Sequence, residues 1–240
     1  MKHFDLRHIG VIGPAGNMAL ERELPAHLPA GFAINHARAD RPDATRLTAE
    51  SLLAMGRNAV AAAQMLIRTR PEIILYACTS GSFVQGPGSE DAIAEEITAT
   101  TGCAALTTSR AVLQALDHLG ARSVFLVTPY PEEINAAEVA FLRASGRRVV
   151  GCKAHPCCAD YPISAVDSRD TVELVLRNRD LALAADAVFI SCTNLLTFDI
   201  IAELELELDR PVMSSNQASL WAVLKAVGVQ TQPFGRRWAI

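Results

Sequence analysis

The chain has 240 residues, 50% of them hydrophobic and 20% charged, with acidic and basic side chains interspersed and a net charge of −4. That is enough to bury a large core as one domain or two small ones, too apolar for a disordered chain, and without the basic footprint of a nucleic-acid partner. No apolar run approaches the roughly 20 residues that cross a bilayer, and Met1-Lys-His-Phe-Asp-Leu-Arg7 does not read as a signal peptide, so no membrane partner and a cytoplasmic location are expected.

In chain order, His8-Ile-Gly-Val-Ile-Gly13 is a short apolar strand, broken into a loop by Pro14-Ala-Gly-Asn17. Met18 to Leu28 has the mixed polarity of a helix, and Gly31 to His36 reads as a second strand. Between Thr48 and Arg68 apolar residues recur at Leu52, Met55, Val60, Ala63, Leu66 and Ile67, which predicts a helix. The third strand, Glu72-Ile-Ile-Leu-Tyr-Ala77, runs into Cys78-Thr-Ser80 and a glycine-rich turn, Gly81 to Gly88. Ser89 to Thr100 is expected to be helical, with Ser89 as N-cap and Glu90 and Asp91 placed where negative charge suits the dipole. Thr108 to Leu119 is a further helix, ended by Gly120.

At Arg122 the pattern restarts. Ser123 to Thr128 is a strand leading into Pro129-Tyr-Pro131, Glu132 to Ser145 a helix closed by Gly146, and Arg148 to Gly151 a strand. A loop carrying Cys152, Cys157, Cys158 and Asp160 follows, then a helix from Thr171 to Ala185 and the strand Asp186-Ala-Val-Phe-Ile-Ser191, which ends in Cys192-Thr-Asn194. Pro211 to Ser215 is the last strand. Ala218 to Val227 is the last helix, with Trp221 and Leu224 in the core, and Gln232 to Ile240 is a tail.

Strands alternating with helices predict parallel sheets covered on both faces. Pro14 to Cys78 spans 64 positions and Pro129 to Cys192 spans 63, and both strands end in Cys-Thr, which points to an internal duplication. The expected fold is α/β: two similar parallel-sheet, Rossmann-like halves related by pseudo-twofold symmetry, with the active site in the cleft between them. Residues 1–120 plus 216–240 form the first half and residues 121–215 the second, the final segment packing on the N-terminal half.

The cysteines fit reduced thiols better than disulfides, because their spacing is irregular. His155-Pro-Cys-Cys158 lacks the paired spacing of a structural zinc site, so no metal is expected, and Cys103 reads as a small core residue. A cysteine at the carboxyl end of a parallel strand stands where α/β proteins place chemistry. Its thiol, tuned by amide dipoles, can serve as base, acid or nucleophile.

Gly13-Pro-Ala-Gly-Asn17, Ala77-Cys-Thr-Ser-Gly-Ser-Phe83, Thr128-Pro-Tyr130, Ser191-Cys-Thr193 and Ser214-Ser-Asn-Gln-Ala218, in this order, resemble the maleate isomerase and arylmalonate decarboxylase group of the aspartate/glutamate racemase superfamily. The resemblance implies a cofactor-independent enzyme acting on a small carboxylate or dicarboxylate, in a chain that can form a homo-oligomer. It implies catalytic roles for Cys78 and Cys192, and a substrate pocket made by Pro14, Asn17, Thr79, Ser80, Tyr130 and the amides near Thr193 and Asn194. Taken alone, Thr79 and Ser80 also suit helix capping, Tyr130 a packed turn, and Pro14 and Asn17 a shaped loop. Asp160 stands where the isomerases carry a further asparagine, and a carboxylate there would repel a second substrate carboxylate.

Three functions stay open. The first is a two-cysteine isomerase or racemase of a small carboxylic acid. The second is an arylmalonate-type decarboxylase in which Cys192 alone protonates the enediolate, ranked lower because that branch has glycine where this chain has Cys78. The third is a non-catalytic carboxylate binder.

Overall fold

The computed structural model describes residues 5–43, 45–155 and 163–230. Its first half runs β1 (Arg7–Pro14), α1 (Ala19–Ala26), β2 (Phe32–Ala39), α2 (Ala49–Leu66), β3 (Ile73–Tyr76), α3 (Thr79–Phe83), α4 (Ala92–Thr101), β4 (Ala105–Thr107) and α5 (Thr108–His118). The second runs β5 (Ser123–Thr128), α6 (Glu132–Ala144), β6 (Arg148–Ala154), α7 (Ser168–Arg177), α8 (Arg179–Leu183), β7 (Ala187–Ile190), α9 (Phe198–Leu208), β8 (Val212–Ser214) and α10 (Ser215–Ala226).

The strands form two four-stranded sheets, ordered β2-β1-β3-β4 and β6-β5-β7-β8, with every pairing parallel. In each sheet the half's first strand lies between its second and third, and the fourth lies beyond the third, so the two halves repeat one topology. The inner strands β3, β5 and β7 are buried along their whole length, which is why they read as unbroken apolar runs, while the edge strands β2 and β6 are half-exposed and mixed.

Helix starts follow local chemistry. Thr48 and Ser51 form a reciprocal cap on α2, Thr107 caps α5, and Ser214 caps α10. The last helix returns to the N-terminal sheet: α10 packs on α5, α1 and β3, and Leu220, Val223 and Leu224 share a cluster with Ile9, Val11, Leu24 and Leu75. Trp221, Leu224 and Cys103 are buried as expected.

Several boundaries differ from the sequence reading. Ser89 does not cap α4. Its hydroxyl bonds back to Gly86 O at 2.6 Å, and the helix begins at Ala92 because Glu90 and Asp91 are drawn into an ion-pair cluster with Arg110. The expected helix from Thr171 to Ala185 is two helices, α7 and α8, broken at Asn178, whose side-chain amide bonds to Leu174 O at 2.8 Å. The first residues of the glycine-rich turn belong to α3, β6 runs on to Ala154, and β4 and α9 are elements that the sequence reading lacked. Cys157, Cys158, Asp160 and the tail from Gln232 to Ile240 lie outside the described residues.

Two helices are capped from the opposite half. The Asn194 side-chain oxygen accepts the Met18 and Ala19 N–H groups at 2.8 and 3.3 Å, at the start of α1. In return the buried Glu23 of α1 accepts the Thr197 and Phe198 N–H groups at the start of α9, and its second oxygen takes the Asn216 side-chain amide at 2.7 Å. Among the described residues no helix is long and apolar enough to cross a membrane.

Candidate active site

β3 ends at Tyr76, and Cys78, still extended at φ −143°, takes the N-cap of α3. Its sulfur accepts the Gly81 N–H at 3.3 Å and lies 3.8 Å from the Ser80 hydroxyl. A Cβ on Gly81 would stand 2.4 Å from the Tyr76 hydroxyl, 3.1 Å from the Cys78 sulfur and 3.2 Å from the Met55 methyl. Only glycine lets this backbone come so close to the thiol.

β7 ends at Ile190, and the chain passes through Ser191 into Cys192, whose φ of 116° is rare for a residue with a side chain and costs on the order of 1–3 kcal/mol. Hydrogen bonds hold it there. The Cys192 N–H donates to Ser215 Oγ at 3.0 Å, its sulfur accepts the Asn194 N–H at 3.4 Å, and Ser191 Oγ donates to Glu138 Oε1 at 2.6 Å. Ser215 Oγ also accepts the Thr79 hydroxyl at 2.9 Å, so one oxygen ties the two cysteine turns together.

Both thiols open onto one cavity of about 580 Å³, lined also by Pro14, Asn17, Thr79, Ser80, Tyr130, Thr193 and Asn194, a volume within the range of about 300–1,000 Å³ usual for small-molecule sites. The two cysteines and the seven substrate-binding residues expected from the sequence therefore reach the same space, while Asp160 lies outside the described residues. Asn17 is partly committed to scaffolding: its amide donates to Thr193 Oγ1 at 2.9 Å, and its oxygen accepts the Leu20 N–H at 3.0 Å. Thr193 Oγ1 in turn donates to Ala77 O at 3.1 Å. Tyr130 is held by its N–H on Thr128 Oγ1 and by Asn135, whose amide donates to Tyr130 O at 2.8 Å.

The cavity has walls that the motifs did not announce. Leu47, Leu52, Met55 and Ile163 make an apolar side, while Asp40 and Arg41, just past the carboxyl end of β2, bring charge. The Arg41 guanidinium donates to the carbonyls of Asp43 and Arg46. Position after a strand end was the one available signal for it. Among the described residues no group of three or more His, Cys, Asp or Glu is disposed to hold a metal.

The thiols differ electrostatically. Burial pushes the Cys192 thiol up to about 12, helped by the nearby Cys78 and Glu138 and opposed by the Asn194 N–H and the Tyr130 hydroxyl. Burial also raises Cys78, but the Gly81 N–H, the Ser80 hydroxyl and the Arg41 charge all pull it back down. Burial, with both thiols and Glu138 adding to it, holds the Tyr130 phenol well above its ordinary range, so it stays a donor.

The arylmalonate decarboxylase family profile matches residues 36–237. The chain is 31% identical over 182 residues to the arylmalonate decarboxylase of Bordetella bronchiseptica, covering 76% of each. It is 30% identical to the maleate isomerase of Nocardia farcinica, covering 92% of this chain and 90% of the relative. Among solved structures, the Nocardia farcinica maleate cis-trans isomerase, as a cysteine-to-serine mutant with a covalently bound succinylcysteine intermediate, has a TM-score of 0.85 at 22% identity over 94% of each chain. The two repeated sheets, the paired strand-end cysteines and the extent of these matches lead to one conclusion: the chain belongs to the arylmalonate decarboxylase family, and like its matched relatives it is an enzyme.

Proposed function

We propose that the chain is a cofactor-independent isomerase or racemase of a small carboxylic acid that works with two cysteines, Cys78 as nucleophile or base and Cys192 as proton donor. The observation that carries this reading is the pair of thiols, one from each sheet, on a single cavity. The hydroxyls of Thr79, Ser80 and Tyr130 and the amides near Cys192 would hold a carboxylate as it gains enediolate charge, stabilising the transition state more than the ground state. Arg41, which also lines the cavity, suits a second carboxylate, which favours a dicarboxylate. The division of the chain into residues 1–120 plus 216–240 and residues 121–215 belongs to the same reading.

In the isomerase version the Cys78 thiolate forms a C–S bond to one alkene carbon, and the displaced electron pair passes into the neighbouring carboxylate as an enediolate. Cys192 then protonates the adjacent carbon, the new single bond rotates, and Cys192 takes that proton back as the C–S bond breaks to give the trans alkene. In the racemase version one thiol removes the α-proton and the other returns one on the opposite face.

A second reading is supported by the apolar wall of Leu47, Leu52, Met55 and Ile163, which would suit an aryl group: decarboxylation, with Cys192 protonating the enediolate that carbon dioxide loss leaves behind. Incubation with maleate, aspartate, glutamate and phenylmalonate in deuterated water, followed by proton NMR and carbon dioxide measurement, separates the readings. The two-thiol reading expects isomerised or deuterium-exchanged product without carbon dioxide, and losses of about 10²–10⁴-fold in both Cys78→Ala and Cys192→Ala. Carbon dioxide from phenylmalonate that persists in Cys78→Ala would overturn it in favour of the second, and saturable binding without turnover would overturn both.

A further inference from the structure

Glu138 is a carboxylic acid with no place in the chemistry above, yet it lies beneath it. It sits on α6, is 1% exposed, and accepts the Ser191 hydroxyl at Oε1, while Oε2 has no hydrogen-bond partner among the described residues. Ser191 is the residue immediately before Cys192. The titratable groups that feel Glu138 come from three elements: Tyr130 from the loop after β5, Cys152 from β6 and Cys192 from the end of β7. Cys78, at the start of α3, acts on the same Tyr130 and Cys192, and Lys153 of β6 acts on Cys152. No basic side chain among the described residues forms an ion pair with Glu138.

A buried carboxyl without a counter-ion is a strange companion for a thiol, unless the thiol is meant to keep its proton. We propose that Glu138 is a positioning residue for Cys192: through Ser191 it fixes the strained turn that aims the thiol into the cavity, and once ionised its charge keeps that thiol in the protonated, proton-donating form as the solution turns alkaline. This deepens the reading of Cys192 as the acid, and the same arrangement would serve either an isomerase or a decarboxylase.

Burial lifts the Glu138 carboxyl to about 8, against the downward pull of the Ser191 hydroxyl. As the pH rises through that value Glu138 loses its proton, and the new negative charge makes it harder for Cys192 to lose its own. The two groups titrate as a pair. A plot of log thiolate against pH for Cys192 therefore has unit slope at low pH, flattens near pH 8, and resumes at higher pH.

The experiment reads the thiol and not turnover, so its failure is distinct from a failure of the proposed reaction. In the Cys78→Ser protein, the rate of Cys192 alkylation by iodoacetamide is followed from pH 6 to 10 by peptide mass spectrometry. The parent should show the flattening. Glu138→Gln, which keeps an acceptor for Ser191 but cannot ionise, should show a straight line and about tenfold faster alkylation at pH 9, the change that one pKa unit brings. Ser191→Ala, which removes the bond that stabilises the ionised carboxylate, should move the flattening to higher pH and answers the question should Glu138→Gln fail to fold. Cys152 should speed up with Cys192 in Glu138→Gln, while Cys103, whose shift comes from burial alone, should not. Superimposable Cys192 curves in parent and Glu138→Gln, or a flattening that Ser191→Ala leaves in place, would overturn the proposal.

Discussion

The two cysteine turns read alike in the sequence and are built differently in the fold. Cys78 has ordinary extended backbone, enters a helix directly, and meets an amide N–H, a hydroxyl and a guanidinium charge. Cys192 has φ of 116°, is separated from α9 by a five-residue turn, and has a buried carboxyl behind it. The two similar halves thus place a thiol at the same strand end in different surroundings. The lesson is that a repeated Cys-Thr fixes where a sulfur sits, whereas its protonation is set by residues scattered through other elements.

The largest way to break the contrast is at Gly81. Gly81→Ala drives a methyl group into the Tyr76 hydroxyl and the Cys78 sulfur, and it should lower kcat by about 10²-fold, as misplacing a reacting group does, with a loss of about 1–3 kcal/mol of stability. Cys192 alkylation should be unaffected. A kcat near that of the parent would mean that Cys78 needs no fixed position.

Backbone strain gives a smaller effect of opposite sign in the two halves. Cys192→Gly should be more stable than Cys192→Ala by about 1 kcal/mol, because glycine accepts a positive φ. Cys78→Gly should instead be less stable than Cys78→Ala by about 0.5–1 kcal/mol, because there the glycine only adds entropy to the unfolded chain. Urea denaturation of the four variants measures both differences, and equal signs would refute the strain at Cys192.

The smallest effect is expected at Arg41. Arg41→Gln removes the positive charge that favours the Cys78 thiolate, and it should slow Cys78 alkylation near neutral pH by about threefold, a modest amount because the guanidinium is half-exposed and screened. The Cys192 profile should stay where it is. A parallel change in both thiols would show that the cavity responds to charge as a whole.

Much of this was legible before any coordinates. The buried inner strands β3, β5 and β7 and the long α2 announced themselves by apolar runs and helical period, and the motif at each strand end named residues that now line one cavity. β4 was not legible because three residues are too few to show a period. α9 was masked by Leu204-Glu205-Leu206-Glu207-Leu208, which alternates like a strand. As a helix it leaves Leu206 62% exposed and buries Glu205, which accepts the Val212 N–H at 3.1 Å. Arg41 reaches the cavity only through the loop after β2, and Glu138 resembles any surface glutamate on a helix until the second sheet closes over it. Both are products of tertiary placement, which local pattern does not encode.

The reciprocal caps between the halves bear on how a substrate gets in. Separating the sheets like a clam shell would strip Asn194 from the first N–H groups of α1 and Glu23 from those of α9 in the same movement. Each hydrogen bond lost without replacement costs about 0.5–1.5 kcal/mol, and more where the acceptor is charged. The two halves are therefore cross-latched. Traffic to the thiols is cheapest past the exposed or half-buried lining residues Asp40, Arg41, Thr45, Leu47, Ile163 and Ser164, where side chains can swing aside while the latch stays shut.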